Sequence, residues 1–184
     1  MAAIPPVCEF GWSAPGFNLP GVDGRHWTLA DVRGQHGTLV MFICNHCPYV
    51  QAILPRLLVA ARDLQARGIG VVAISSNDAN AYPQDSFAHM ASLAKERQFP
   101  FPYLYDEDQS VARAWGAVCT PDFFGLNAAD LLHYRGQFDA SRKDAAPEDS
   151  PRDLYDAMCL IAQTGQGPRE QIASVGCSIK WKDS

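Results

Sequence analysis

The sequence predicts an α/β fold, a three-layer sandwich around a mixed β-sheet. Three observations carry that expectation. Two short, uninterrupted apolar runs, GTLVMFIC at 37–44 and IGVVAISS at 69–76, suit strands buried on both faces. Stretches with apolar residues at helical spacing follow such runs, and strands that alternate with helices imply parallel pairing through crossover connections. A closing pair, DFFGL and LLHYR, flanks Asn127–Asp130 as a hairpin and adds an antiparallel edge.

The elements follow in chain order. GFNLPGVDGRHWTL reads as two short strands joined through Gly21–Gly24, an N-terminal hairpin extension of the sheet. GTLVMFIC is the first buried strand. A helix over roughly 48–67 places Val50, Ile53, Leu54, Leu57, Ala61 and Leu64 on one face, and Gly68 sits where a glycine ends a helix. Pro55 lies inside that pattern and deletes the hydrogen bond to the Gln51 carbonyl, so a kink is expected there. After the strand IGVVAISS, a helix over 85–97 carries Phe87, Met90, Ala91 and Ala94 on its core side. FPYLYD is a short strand. Asp106 and Gln109 read as a capping box that opens a helix running to Trp115. The final helix, 152–164, buries Leu154, Ala157, Met158 and Ile161. Residues 137–151 read as a loop, and 166–184 as a tail without a predicted element.

At 184 residues, 47% of them hydrophobic, the chain suits one domain over 1–184, with its core at about 14–164 and a tail over 165–184. The net charge of −5 supplies no basic stripe for phosphates, which excludes nucleic acid as a default partner. No run approaches the roughly 18 apolar residues of a membrane helix. The start, MAAIPPVCEFGWSAPGF, lacks the charged and apolar regions of a secretory signal, so a cytoplasmic protein is expected. In that compartment stable structural disulfides are rare. Cys8, Cys44, Cys47, Cys119, Cys159 and Cys177 are therefore read as packed thiols, reactive thiols or ligands.

Chemistry concentrates in FICNHCPYV, where Cys44 and Cys47 stand two residues apart between a buried strand and a helix. Two thiols at that spacing close a disulfide with little backbone movement. The first helical turn offers unpaired N–H groups and the positive end of the dipole, and both favour a thiolate. His46, between the cysteines, is expected to place a cationic imidazole beside the attacking thiolate and to raise the reduction potential above the roughly −270 mV of thioredoxin.

With Thr120-Pro121 ahead of the closing hairpin, this strand–CxxC–helix junction resembles the thioredoxin superfamily. The stretches FICNHCPYV, ISSNDANAYPQDSF, GAVCTPDFF and GCSIKWK resemble, more closely, its peroxiredoxin-like, AhpC/TSA-related branch. The resemblance implies a thioredoxin-like sandwich, a redox-active CxxC disulfide and a cis bond at Thr120-Pro121. Two departures stand out. GTLVMFI lacks the buried aspartate that thioredoxins proper carry in this strand. Aligning the peroxidatic cysteine of peroxiredoxins to Cys47 puts Cys44 where their threonine belongs, and only Arg113 and Arg135 offer themselves as the partner arginine.

Two arguments compete over the attacking sulfur. Thioredoxin-like practice makes it Cys44, the reading adopted here. Pro48 points the other way: it fits the first helical position and makes Cys47 the N-cap. Cys119 is expected near the pair as a supporting residue, more a packed thiol than a third redox group. Cys177 lies near Lys180 and Lys182, and a tail folded over the site would make it a resolving thiol. Cys8 and Cys159 read as structural.

The expected activity is thiol–disulfide exchange with a protein or small-molecule disulfide or dithiol, requiring no cofactor and no metal. Peroxide reduction in an antioxidant role, with Cys47 as the peroxidatic cysteine, is the second reading. A copper or zinc site built on the CxxC ranks third, because zinc usually takes four ligands and one pair is present. Asn77 and Asp78, at the C-terminal edge of the second buried strand, are read as caps for the next segment.

Overall fold

Strand β4, Gly37–Phe42, is buried along its whole length and forms the middle of the fold. In the computed structural model, which describes residues 1–183, helix α2 (Pro48–Ala66) follows it and returns to strand β5 (Ile69–Ser75), parallel to β4. Strand β6 (Tyr103–Tyr105) continues the parallel side. Strands β8 (Asp122–Leu126) and β9 (Leu132–Tyr134) close the other side antiparallel, giving the order β6-β5-β4-β8-β9. The strands are continuous apolar runs because both faces are covered.

Alternate residues of β4 serve different cores, as the period of two requires. Leu39 and Met41 pack against α2, Met90 of helix α3 (Phe87–Glu96), and Leu154, Met158 and Ile161 of helix α5 (Asp153–Thr164). Val40 and Phe42 face the opposite layer. There they meet Val111 and Trp115 of helix α4 (Ser110–Trp115), Leu29 and Val32 of helix α1 (Leu29–Val32), and the hairpin of β2 (Asn18–Pro20) and β3 (His26–Thr28). Trp115 centres that layer, 5.3 Å from the Phe124 ring and 5.8 Å from Trp12. These are the three predicted layers and the predicted N-terminal hairpin.

Helix α2 begins and ends as the sequence requires. Pro48 occupies its first turn, Cys47 is the N-cap in extended conformation, and Gly68 follows at φ +78°.

Three expectations need correction. The segment 83–85 is a separate 3₁₀ turn, so α3 starts at Phe87, with Ser86 as its cap; Phe87 stays 38% exposed and only Met90 of the predicted face is buried. Asp106 and Gln109 form no capping box. Asp106 accepts from the Val111 and Ala112 amides and Asp108 from the Ser110 amide at the start of α4, while Gln109 adopts a left-handed backbone and turns its side chain to the Ser76 and Lys180 carbonyls. The tail, finally, contains strand β10 (Gly176–Ser178). It pairs antiparallel with β7 (Cys119–Thr120) on one side and with β1 (Ala2–Ala3) on the other. Among the described residues, no helix is long and apolar enough to cross a membrane.

Candidate redox site

Two chain reversals bring the site together. Strand β4 ends at Phe42 and delivers Cys44 and Cys47 to the start of α2. The cis Thr120-Pro121 bond, between β7 and β8, lies against them. Cys44 Sγ lies 3.4 Å from Thr120 Oγ1, and Cys47 Sγ lies 3.1 Å from the Thr120 carbonyl oxygen. Both cysteines are free thiols, and they are almost sealed: Cys44 is 1% and Cys47 0% exposed.

Their environments push the two acidities apart. Cys47 falls from the ordinary 9.0 to about 5. The hydrogen bond from the Cys44 thiol contributes most, opposed by burial and supported by the Cys177 thiol, the Thr120 hydroxyl and the Val50 N–H. That amide bonds the Cys47 carbonyl at 3.0 Å and reaches toward the sulfur without forming a side-chain cap. The Thr120 carbonyl opposes ionisation, since a protonated Cys47 donates to it; the converging donors at the helix start outweigh that one oxygen. Cys44 is pushed far up, first by its bond to Cys47, then by burial and by the charge of Asp85. Both directions favour the charge on Cys47 over Cys44. Of the two competing arguments over the attacking sulfur, the one from Pro48 has its register in the fold: Pro48 opens α2 and Cys47 is its N-cap, with Cys44 ahead of the helix.

An acid lies beside the pair after all, supplied from outside β4. Asp85 is fully buried and accepts from the Asn45 N–H at 2.9 Å, the His46 N–H at 3.3 Å and the Asn77 side chain at 2.8 Å. It thus braces the dipeptide between the cysteines. A ring nitrogen of His46 lies within 4.8 Å of both the Cys44 sulfur and an Asp85 oxygen. Its Nδ1 lies 2.5 Å from Asp85 Oδ2, an ion-pair contact without an aligned hydrogen bond, and its ring stacks on Tyr82 at 5.7 Å. Any imidazolium charge is set against Asp85 before it acts on a sulfur. Tyr103 donates to Asn45 Oδ1 at 2.8 Å and completes the brace.

Asn77 does more than cap. While donating to Asp85 it accepts from the Lys180 amide, and Asp78 N–H donates to the Lys180 carbonyl; Gln109 holds Lys180 and Lys182 as well. These bonds fasten the tail across the site. Cys177 stands opposite Thr120 in the β7–β10 register, is partly exposed, and packs against the core cluster that holds Cys44 and Cys47. Cys119 is fully buried, with its thiol 3.5 Å from the Pro121 carbonyl; burial and the charge of Asp122 push its pKa far up, which suits an inert packed group. Cys8 is raised to about 11 by burial, and Cys159, on α5, packs against the core.

Neither candidate arginine meets a sulfur of the pair. Arg135 forms a buried ion pair with Asp122 at 2.9 Å and bonds the Gly116 carbonyl, while Arg113 lies over the Trp181 ring. A metal would find Cys44, His46 and Asp85 within 4.8 Å of one another, although the Asp85 oxygens already accept three protein donors. A cavity of about 300 Å³, lined by Cys44, Val50, Leu54, Leu93, Arg97 and Phe99 among others, adjoins the pair on the Cys44 side.

A dithiol at a helix start, packed on a cis-proline loop within this sandwich, defines a thioredoxin-fold thiol redox protein. The thioredoxin domain of a thiol-disulfide oxidoreductase from Bacteroides vulgatus shares the fold, with a TM-score of 0.62, 17% identity, and coverage of 83% of this chain and 97% of that one. Residues 10–139 match the AhpC/TSA family, and the chain belongs to it. It is peroxiredoxin-like: a Mycobacterium tuberculosis H37Rv protein provisionally named a peroxiredoxin is 29% identical over 122 residues, 66% of this chain and 73% of that protein. An uncharacterised conserved protein of Geobacillus kaustophilus is more similar, 42% identical with a TM-score of 0.94, matching all of this chain and 98% of the other.

Proposed function

We propose that the protein is a thiol–disulfide oxidoreductase in which Cys47 is the reactive thiolate and Cys44 its resolving partner. The observation that carries this reading is a pair of free thiols, two residues apart at the start of α2 and both packed on Thr120 of the cis-proline loop, with the shift at Cys47 downward and that at Cys44 upward. A depressed thiolate supplies both nucleophile and leaving group at neutral pH, and a raised thiol donates to it and holds its own proton until needed. In oxidation, Cys47 sulfur bonds to one sulfur of a partner disulfide, whose other sulfur leaves as a thiolate. Cys44 then loses its proton and attacks Cys47, which expels the reduced partner and leaves a Cys44–Cys47 disulfide. The reverse sequence oxidises a dithiol. A cytoplasmic setting, where thiol reductants are abundant, fits a couple that must be re-reduced after each turnover.

One observation favours a second reading, peroxide reduction. The sulfurs are sealed apart from the cavity beside Cys44, which suits a small oxidant. Cys44, in the threonine position, also donates to Cys47 as that hydroxyl would. The Cys47 thiolate would take one oxygen of the peroxide and release the other as water or an alcohol. Cys44 would then condense with the sulfenic acid, losing water. The engagement of both candidate arginines elsewhere, Arg135 with Asp122 and Arg113 over Trp181, ranks this reading second.

Insulin reduction measured beside peroxide consumption separates the two. Insulin reduction that disappears in both Cys44→Ser and Cys47→Ser is expected. Peroxide turnover lost on changing Cys47 alone, with no disulfide reductase activity, overturns the ranking.

A further inference from the structure

A sealed dithiol needs a route for electrons. Cys47 exposes none of its surface and Cys44 1%, so an external thiol meets a partly exposed neighbouring sulfur more readily than it meets the Cys47 sulfur. Cys177 is partly exposed and also packs against the core cluster that holds Cys44 and Cys47. Its place is built rather than accidental. Strand β10 pairs with β7 so that Cys177 faces Thr120, whose carbonyl lies 3.1 Å from Cys47 Sγ. Gly176 brings the strand in tightly: a Cβ there would stand 2.1 Å from the Thr120 carbonyl oxygen, so only glycine permits this approach. Asn77 and Gln109 then anchor the next residues of the tail.

We infer that Cys177 is the external port of a three-sulfur relay, passing a disulfide between the buried Cys44–Cys47 couple and a thiol reductant in solution. The inference rests on the dithiol reading above. In the re-reduction direction, Cys177 gives up its proton and its sulfur attacks Cys47. The Cys44–Cys47 bond breaks, a Cys47–Cys177 bond forms, and Cys44 leaves as a thiolate that takes a proton. An external thiolate then attacks Cys177, expelling Cys47 as a thiolate and forming a mixed disulfide on Cys177. A second external thiolate removes that external sulfur and frees Cys177. Two external thiols are oxidised to one disulfide and the couple gains two electrons. The first step is helped by its own geometry. In the reduced protein, burial and the bond to Cys47 hold the proton on Cys177, whereas a Cys47 locked in a disulfide carries no charge and Lys180 remains to favour ionisation.

Two measurements test the relay. Cys44→Ser, treated with oxidised glutathione, is expected to form an intramolecular Cys47–Cys177 disulfide, seen by peptide mapping; a Cys47 that stays glutathionylated or free overturns the relay. The oxidised wild type and Cys177→Ser are then re-reduced by glutathione and, separately, by thioredoxin. A fall in rate of at least about tenfold in Cys177→Ser is expected, with the affected arm identifying a small thiol, a protein dithiol or both as the donor. An unchanged rate in both arms overturns it. A wild type that forms no Cys44–Cys47 disulfide overturns the dithiol reading itself, whereas that disulfide together with an unchanged Cys177→Ser rate overturns the relay alone.

Discussion

Replacing Cys44 by alanine removes the largest contribution to the acidity of Cys47 and leaves the others in place. The Cys47 thiol ionises near 5 instead of the ordinary 9.0, a preference for the thiolate of about 5 kcal/mol at roughly 1.4 kcal/mol per factor of ten. Donors from Cys44, Cys177, Thr120 and Val50 together supply it, against the cost of burial. A hydrogen bond to a charged group is worth about 1.5–3 kcal/mol. Losing the strongest should therefore raise the midpoint by one to two pH units, to roughly 6–7, while the remaining donors hold it below an ordinary thiol. The assay is the ultraviolet absorbance of the thiolate titrated against pH in the reduced protein, with alkylation mapping to identify the sulfur. A Cys44→Ala midpoint still near 5, or a Cys47→Ala variant that keeps the low-pH titration, refutes the assignment of the thiolate to Cys47.

Three further outcomes follow from the same contacts. Asp85→Ala leaves the Asn45 and His46 amides and the Asn77 side chain without their acceptor, and should cost about 2–4 kcal/mol in urea denaturation; a loss under about 1 kcal/mol contradicts the bracing role. Asp122→Ala strands the buried Arg135 guanidinium and should cost about 3–5 kcal/mol by the same measurement, so near-neutral stability would contradict that pairing. Reduced wild type should also gain stability over Cys47→Ser as pH rises. Between the folded value near 5 and the ordinary 9.0, the unfolded chain holds a proton that the folded one has shed. The stabilisation is thus complete above 9 and lost as pH falls through 5, reaching up to about 3 kcal/mol at pH 7. A difference in stability that does not vary over that window would refute it.

Local signals carried much of this architecture. The apolar runs of β4 and β5, the spacing along α2 and α5, and the turn residues before β9 each specify an element within a few residues of chain, so the sandwich was legible. So was the meeting of the CxxC with Thr120-Pro121, through resemblance. Pro48 likewise marked the helix start, since its preference for the first turn makes Cys47 the N-cap. What escaped was fixed by long-range packing. Asp85 meets the Asn45 amide across 40 residues, and no periodicity marks it; the one available signal was its position in the segment leaving the C-terminal edge of β5, where sites gather in α/β sheets. Strand β10 is three residues long and exists because β7 and β1 flank it, so its own composition could not announce it. Gln109 looked like half of a capping box because that pattern ignores competing acceptors; here the tail carbonyl at Lys180 and the Ser76 carbonyl took its side chain.

The central claim is a reversible Cys44–Cys47 couple driven by a stabilised Cys47 thiolate. Equilibrium titration against glutathione redox buffers, with peptide mapping of each state, tests it most directly. Thioredoxin, with an attacking thiol near 7, sits near −270 mV. A Cys47 near 5 favours the reduced form by about two further factors of ten, at about 30 mV each for a two-electron couple. The account predicts one two-electron transition at roughly −210 mV, with a Cys44–Cys47 disulfide as the oxidised end state. A midpoint at or below about −270 mV, or an oxidised state in which Cys44 remains a free thiol, would contradict it.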